Sequence, residues 1–329
     1  MLALVFACAP SALIGANGGP TATFDLQGHR GGRGLRPENT LAAFSHALDV
    51  GVRTLELDCA VTRDGVVVVS HDPALNPNHT RDAQGQFLAA AGPPIFTLSY
   101  AELQHYDVGR LRPGTEYAAR FPEQQPVDAE RIPRLADVFA LVRKRGDRQV
   151  RFNIETKVDP GHPELTLAPE PFTKAVLKVI RRAGMESRST IQSFDWRTLR
   201  IVQKLAPKVV TVALTDQEPD EDTVQAGRPG PSPWLGGLDV DDFGGSVPKV
   251  VKASGATVWS PYYQDIDARL VAEAHALGLT VIPWTLNDPA DIERVLAFDV
   301  DGMISDRPDI LRSVLQAKGI AVPTPTPAR

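Results

Sequence analysis

The sequence predicts an α/β fold: a single (β/α)8 TIM barrel with a segment inserted after the hairpin of its second strand. Three observations carry that expectation. Short β-rich runs alternate with amphipathic helical runs from residue 23 onward, eight of each, with no internal repeat. The 329 residues are 43% hydrophobic, enough for one large core. The two long breaks in the rhythm, 73–133 and 216–247, each fall between a strand and the next helix. A doubly wound open sheet is the alternative with the same alternation. The barrel domain is assigned to residues 23–318.

Residues 1–22 stand apart from it. "MLALVFACAPSALIGANGG" is too short an apolar run to span a bilayer, and it resembles the core of a secretory signal that lacks its positive leader. The expectation is a periplasmic or secreted protein. "VFAC" also resembles a lipoprotein attachment box, so membrane association is expected only through a lipid on Cys8. Loss of Cys8 would leave Cys59 alone, which excludes a disulfide framework. The net charge of -5 argues against nucleic acid as a partner.

The expected strands are 23–27, 54–58, 149–155, 189–193, 209–214, 257–261, 280–285 and 302–306. Helix signals lie between them. Asn39 or Thr40 caps "LAAFSHALDV", which ends at Gly51, and Asp288-Pro289 opens "ADIERVLAF". Insertions that follow barrel strands lie on the C-terminal face, so both long segments are expected to wall the active site. The Pro/Thr-rich tail, 319–329, is expected to be disordered.

Four stretches carry chemistry. In "TLELDCAVTRDGVVVVSHD", Glu56 and Asp58 are two apart on a strand and share a face. Two adjacent carboxylates repel unless a proton or a cation lies between them, and an oxygen-only set suits Mg²⁺ or Ca²⁺. The alternative is a solvated acidic pair. Asp64-Gly65 reads as a two-residue hairpin turn. Counting outward from it, Asp58 faces His71, which brings an imidazole to the carboxylates.

In "FNIETK", Glu155 and Lys157 also share a face. They form either a structural ion pair or a third metal carboxylate with a cation for a phosphate oxygen. In "GHRGGRGLRPENT", His29 and Arg30 follow the first strand, in a loop that fits neither a Walker motif nor a dinucleotide fingerprint. Glu38 and Asn39 come next as supporting residues. In "VIPWTLND", Trp284 near a strand end is either an apolar wall for substrate or a core residue. Gln192 and Phe194 of "IQSFDW" are weaker candidates of the same type.

Taken together, His29-Arg30, Glu56-x-Asp58, His71-Asp72 and Glu155-x-Lys157, with "PENT", "TRDG" and "WTLN", resemble the glycerophosphodiester phosphodiesterase family, over residues 24 to about 312. The resemblance implies a (β/α)8 barrel that hydrolyses glycerophosphodiesters to sn-glycerol 3-phosphate and an alcohol. It implies one divalent cation, Ca²⁺ or Mg²⁺, on Glu56, Asp58 and Glu155. It implies His29 as base and His71 as acid, with Arg30, Lys157 and Trp284 against the substrate. A phospholipase acting on intact lipid and a non-catalytic binding protein are the rival readings.

Overall fold

The computed structural model describes residues 23–327, so the expected export segment and Cys8 lie outside the described residues. Among the described residues the strands are β1 (Asp25–Gly28), β2 (Thr54–Val61), β3 (Val67–Val69), β4 (Arg151–Thr156), β5 (Ser189–Ser193), β6 (Val210–Thr215), β7 (Val258–Pro261), β8 (Thr280–Val281) and β9 (Gly302–Ser305). Eight of them run parallel in the order β8-β7-β6-β5-β4-β2-β1-β9, and β3 pairs with β2 alone. The two ends of this sheet meet: Asp301 N donates to Val281 O and Ile304 N to Pro283 O, both at 3.0 Å. The result is the barrel that the alternation predicts. β8 is shorter than expected because Pro283 has no N–H to give the ladder. The pairing resumes at Trp284, which bridges Tyr262.

Large apolar side chains fill the layer between strands and helices, with Phe44, Phe139, Phe152, Phe172, Trp196 and Trp259 fully buried. The helix Leu41–Val50 is capped by Thr40, whose Oγ1 accepts from Ala43 N at 3.1 Å, and it closes on Gly51. The barrel interior divides in two. Val212, Val258, Ile282 and Ile304 pack together on one side. On the other, Asn153 Nδ2 donates to Gln27 Oε1 at 3.1 Å and to Gln192 Oε1 at 2.7 Å. This amide row leaves the next polar layer to the carboxylates above it.

The β2–β3 hairpin differs from the expected register by one residue. Cys59 pairs with Val69 and Val61 with Val67, so Ser70, not His71, lies opposite Asp58. The loop has three residues, Arg63-Asp64-Gly65, because Thr62 N bonds Val66 O at 3.0 Å and Gly65 takes φ +77°. A left-handed glycine in the third loop position suits a three-residue hairpin, and Asp-Gly serves that turn as well as the two-residue one. His71 lies beyond the end of β3, so its place in the site comes from the bend at 70–73 and not from pairing.

The inserted segment carries two single-turn helices, Tyr100–Leu103 and Glu116–Ala119. Its own apolar cluster, Leu75, Ile95, Leu103, Val108 and Ile132, rests on Ala60 and Val68 of the hairpin. Gly109 closes the segment: a Cβ there would stand 1.8 Å from Val127 O.

The tail departs from expectation. Thr326 N donates to Leu48 O at 2.9 Å, and Arg312 Nη1 reaches Pro323 O at 2.7 Å, so the chain is held against the first helix through residue 326. Proline removes donors from the tail but leaves carbonyls that arginines can bind.

Segment 216–247 begins with acids. Burial, and then neighbouring carboxylates, push both Asp216 and Asp265 up to about 6. A carboxyl raised on folding favours the folded state at low pH, and that contribution is lost as pH rises from about 4 through about 6. Asp216→Asn keeps the acceptor for Glu218 N but removes the charge. It is expected to raise Tm by about 2 °C above pH 7 and to change little at pH 4. Parallel melting curves at both pH values check this; an equal shift at the two would contradict it.

Candidate active site

The strand ends at the C-terminal mouth present their inward residues two apart: Gln27 and His29, Glu56 and Asp58, Glu155 and Lys157, Gln192 and Phe194, Ile282 and Trp284, Ile304 and Asp306. The register aligns Asp58 with Glu155 and Glu155 with Gln192. Oxygens of Glu56, Asp58 and Glu155, all buried, lie within 4.8 Å of one another. Glu56 is held by Arg30 N at 2.7 Å and by Gln192 Nε2 at 2.7 Å. Asp58 Oδ2 accepts from Asn39 Nδ2 at 2.9 Å, while its Oδ1 is buried without a partner.

Burial and the negative neighbours raise Glu56 and Glu155, with Lys157 opposing the rise at Glu155. Burial would also raise Asp58, but His71, which is charged only at the low pH where Asp58 titrates, together with Arg30 and Lys157, outweighs it and keeps that carboxyl ionised. Three converging carboxylates, one with an orphaned oxygen, fit a hard divalent cation and no soft one.

A histidine flanks the carboxylates on each side. His29 follows β1 in a tight turn in which Arg30 takes φ +50° and Gly31 φ +81°. A Cβ on Gly31 would stand 2.8 Å from that of Ala43, so this glycine admits the first helix. His29 Nδ1 donates to Asp306 Oδ1 at 2.6 Å, and its Nε2 lies 4.0 Å from Glu56. Arg33 Nε donates to the same Asp306 oxygen at 2.6 Å, and Asn287 Nδ2 to the other at 2.9 Å. Burial, followed by the Arg33 charge, lowers His29 to about 4.

His71 repeats the pattern. Its Nδ1 donates to Asp72 Oδ1 at 2.9 Å, and its Nε2 accepts from Lys157 Nζ at 3.0 Å. Burial, then Arg30 and Lys157, lower it to about 4. Each imidazole is thus neutral, fixed in one tautomer by a carboxylate, and turns Nε2 inward.

Two cations face the acids. Arg30 Nη1 donates to Glu38 Oε1 at 2.8 Å, and its Nε lies 3.4 Å from Asp58 without a hydrogen bond. Lys157 Nζ lies 3.0 Å from Glu155 Oε1. Its pKa is raised, because Glu155 and Asp58 outweigh burial; a charged lysine is a poor Schiff-base nucleophile. Beyond Lys157 runs an aromatic wall. Phe194 meets Trp284 edge-on at 5.4 Å, and Trp284 meets Tyr262 at 5.4 Å. Trp284 is half-buried, so one side faces the mouth.

A model of the glycerophosphoryl diester phosphodiesterase family matches residues 29–310. The chain belongs to that family. It is a phosphoric diester hydrolase of the glycerophosphodiester class. A glycerophosphodiester phosphodiesterase of Caldanaerobacter subterraneus is 29% identical over 291 residues, covering 88% of this chain and 97% of its own. A solved structure from Silicibacter pomeroyi, provisionally designated a glycerophosphoryl diester phosphodiesterase, superposes with TM-score 0.81 at 37% identity, over 92% of this chain and 97% of that one. An Oleispira antarctica phosphodiesterase, solved with its product sn-glycerol-3-phosphate, shares the fold at TM-score 0.63 and 21% identity, over 88% of this chain and 96% of that one.

The phosphodiesterase mouth brings together the eight residues expected to meet metal, proton or substrate, His29, Arg30, Glu56, Asp58, His71, Glu155, Lys157 and Trp284, and with them the weaker candidates Gln192 and Phe194. Glu38 and Asn39 support Arg30 and Asp58, as expected. Sequence reasoning missed Asp306, Arg33 and Asn287. Asp306 carried a usable signal, since it follows the last strand directly, two residues after the inward Ile304. Arg33 and Asn287 lay inside the quoted "GHRGGRGLRPENT" and "WTLN", but nothing in their spacing pointed to Asp306 as their shared partner.

Proposed function

We propose that the chain hydrolyses glycerophosphodiesters to sn-glycerol 3-phosphate and an alcohol, using one divalent cation, Ca²⁺ or Mg²⁺, on Glu56, Asp58 and Glu155. The observation that supports this best is the carboxylate triad set between two histidines, each backed by its own aspartate. When bound, the cation supplies Lewis-acid stabilisation of charge on a phosphoryl oxygen.

The chain's residues divide the remaining work. His29 Nε2 accepts the proton of the attacking hydroxyl, either water, which gives glycerol 3-phosphate directly, or the glycerol 2-hydroxyl, which expels the alcohol and leaves a cyclic phosphate that water then opens. Asp306 holds the imidazole in the required tautomer and stabilises the imidazolium that forms. Arg30 and Lys157 neutralise the phosphate, with Lys157 leaving His71 Nε2 as it turns to the anion. Freed of that contact and next to a negative substrate, His71 takes up a proton and delivers it to the leaving alkoxide. Trp284 and Phe194 offer an apolar side to the organic part of the substrate.

The family's glycerophosphodiester hydrolysis and the paired imidazoles favour this reading over a binding protein, which needs no proton shuttle. Export to the periplasm or outside the cell is proposed with it, on the apolar run before residue 20.

The test is release of glycerol 3-phosphate from glycerophosphocholine and glycerophosphoethanolamine. Turnover is expected to stop on EDTA treatment and to return with Ca²⁺ or Mg²⁺. Turnover that survives exhaustive chelation would remove the metal from the proposal. Activity on micellar lipid alone would replace the substrate class.

A further inference from the structure

Several side chains of the insertion reach the residues that support the site, among them Asn76, whose Nδ2 donates to Asp72 Oδ2 at 2.6 Å, and one of them joins its two halves. Tyr117, on the single-turn helix Glu116–Ala119, is half-buried. Its hydroxyl donates to Glu38 Oε2 and accepts from Arg33 Nη1 at 3.3 Å. Both partners are buried charged residues, and each steadies a different half of the site. Glu38 Oε1 holds Arg30 Nη1 at 2.8 Å. Arg33 Nε holds Asp306 Oδ1 at 2.6 Å, the oxygen that His29 Nδ1 also contacts. One hydroxyl therefore joins the chain of contacts that ends at Arg30 to the chain that ends at His29.

The same stretch of insertion grips Arg33 twice more. The Phe121 ring lies 4.9 Å under the guanidinium, and Gln124 Nε2 donates to Arg33 O at 2.7 Å. Burial and the nearby Glu38 charge keep the Tyr117 phenol protonated, so it remains a donor.

We infer that Tyr117 is a positioning residue of the hydrolase, through which the insertion sets Arg30 and His29 for phosphodiester cleavage. The inference rests on the proposed reaction for those two residues. The bland alternative is packing, since the Tyr117 ring meets Phe121 edge-on at 5.3 Å. Tyr117→Phe keeps the ring and removes only the hydroxyl, so it separates the two.

Tyr117→Phe is expected to lower kcat on glycerophosphocholine by about 10–100-fold, the usual effect of losing a group that orients a catalytic side chain. KM should rise by at most about tenfold, because Arg30 meets the phosphate before as well as during cleavage, while His29 acts on protons that move only in the transition state. Packing alone predicts a lower Tm and an unchanged kcat in the folded fraction. Combined with Glu38→Gln, the loss should be smaller than the product of the two single losses, since both act on one network.

A kcat within about twofold of wild type, or losses that multiply fully, would overturn the inference. If the wild type turns over no glycerophosphodiester, the proposed reaction fails instead. Inorganic phosphate titrated into both proteins in the presence of Ca²⁺ then decides the matter. About tenfold weaker binding by Tyr117→Phe supports positioning, and equal affinity overturns it.

Discussion

Glu56→Ala is expected to reduce turnover to background and to abolish the response to added Ca²⁺ or Mg²⁺. Glu56 is buried and sits at the centre of the polar layer, tied to Arg30 N and Gln192 Nε2. Its removal takes away one of three converging carboxylates and also leaves two buried donors without a partner, at a cost of about 1–3 kcal/mol each. The alanine variant would thus confound lost ligation with lost stability. Glu56→Gln retains the shape and one acceptor oxygen, so it leaves one buried donor unpartnered instead of two and confounds ligation with stability less.

The measurement is melting with and without the cation. A ligand that binds only the folded state stabilises it by about 2.7 kcal/mol at a hundred times its Kd. Wild type should show that upward shift in Tm, and Glu56→Gln should lose most of it. Without cation the glutamine variant should melt somewhat lower than wild type, since its NH₂ must face Arg30 N or Gln192 Nε2, so the readout is the cation-induced shift within each protein. A cation-induced shift as large in Glu56→Gln as in wild type would place the ion elsewhere.

Legibility in the sequence followed the two-residue period of the strands. Wherever two functional groups stand two apart at a strand end, as in Glu56/Asp58 and Glu155/Lys157, the shared face is a geometric necessity and the reading held. The strand–helix alternation gave the barrel on the same footing. Where the chain leaves regular pairing, local pattern was not enough. The hairpin register turned on Thr62 bonding Val66 instead of Arg63 doing so, a choice of one residue that Asp64-Gly65 permits either way. His71 still reaches Lys157, through a bend that no periodicity describes.

The residues that escaped notice are those whose role is to hold others. Arg33 and Tyr117 lie 84 residues apart in sequence and meet only because the insertion folds back over the mouth. Asp306 was within reach, being two residues beyond an inward Ile304 on the last strand, but its partner His29 lies 277 residues away.

His29→Ala and His71→Ala are each expected to lower kcat/KM by about 10²–10⁴-fold, the range for a positioned acid or base. The argument rests on each ring turning Nε2 inward, free in His29 and held by Lys157 Nζ in His71, while Nδ1 is committed to a carboxylate, to Asp306 for His29 and to Asp72 for His71. Asp306→Asn sharpens the case for His29. Asp306 Oδ1 accepts from both His29 Nδ1 and Arg33 Nε, and Oδ2 accepts from Asn287 Nδ2. An asparagine must turn its own NH₂ toward one of these donors, and Asn287 cannot reverse to meet it, because its Oδ1 accepts from Asp306 N at 2.9 Å.

The ring of His29 should then lose its fixed tautomer, and a further loss of about 10–100-fold relative to wild type is expected for Asp306→Asn alone. In a His29→Ala background the same change should have little effect, since the ring it orients is gone. Initial rates of the two single variants and the double, on one substrate at saturating cation, check the prediction. An Asp306→Asn loss of equal size with and without His29 would mean that Asp306 serves Arg33 and the fold, and the base would have to be sought at another residue.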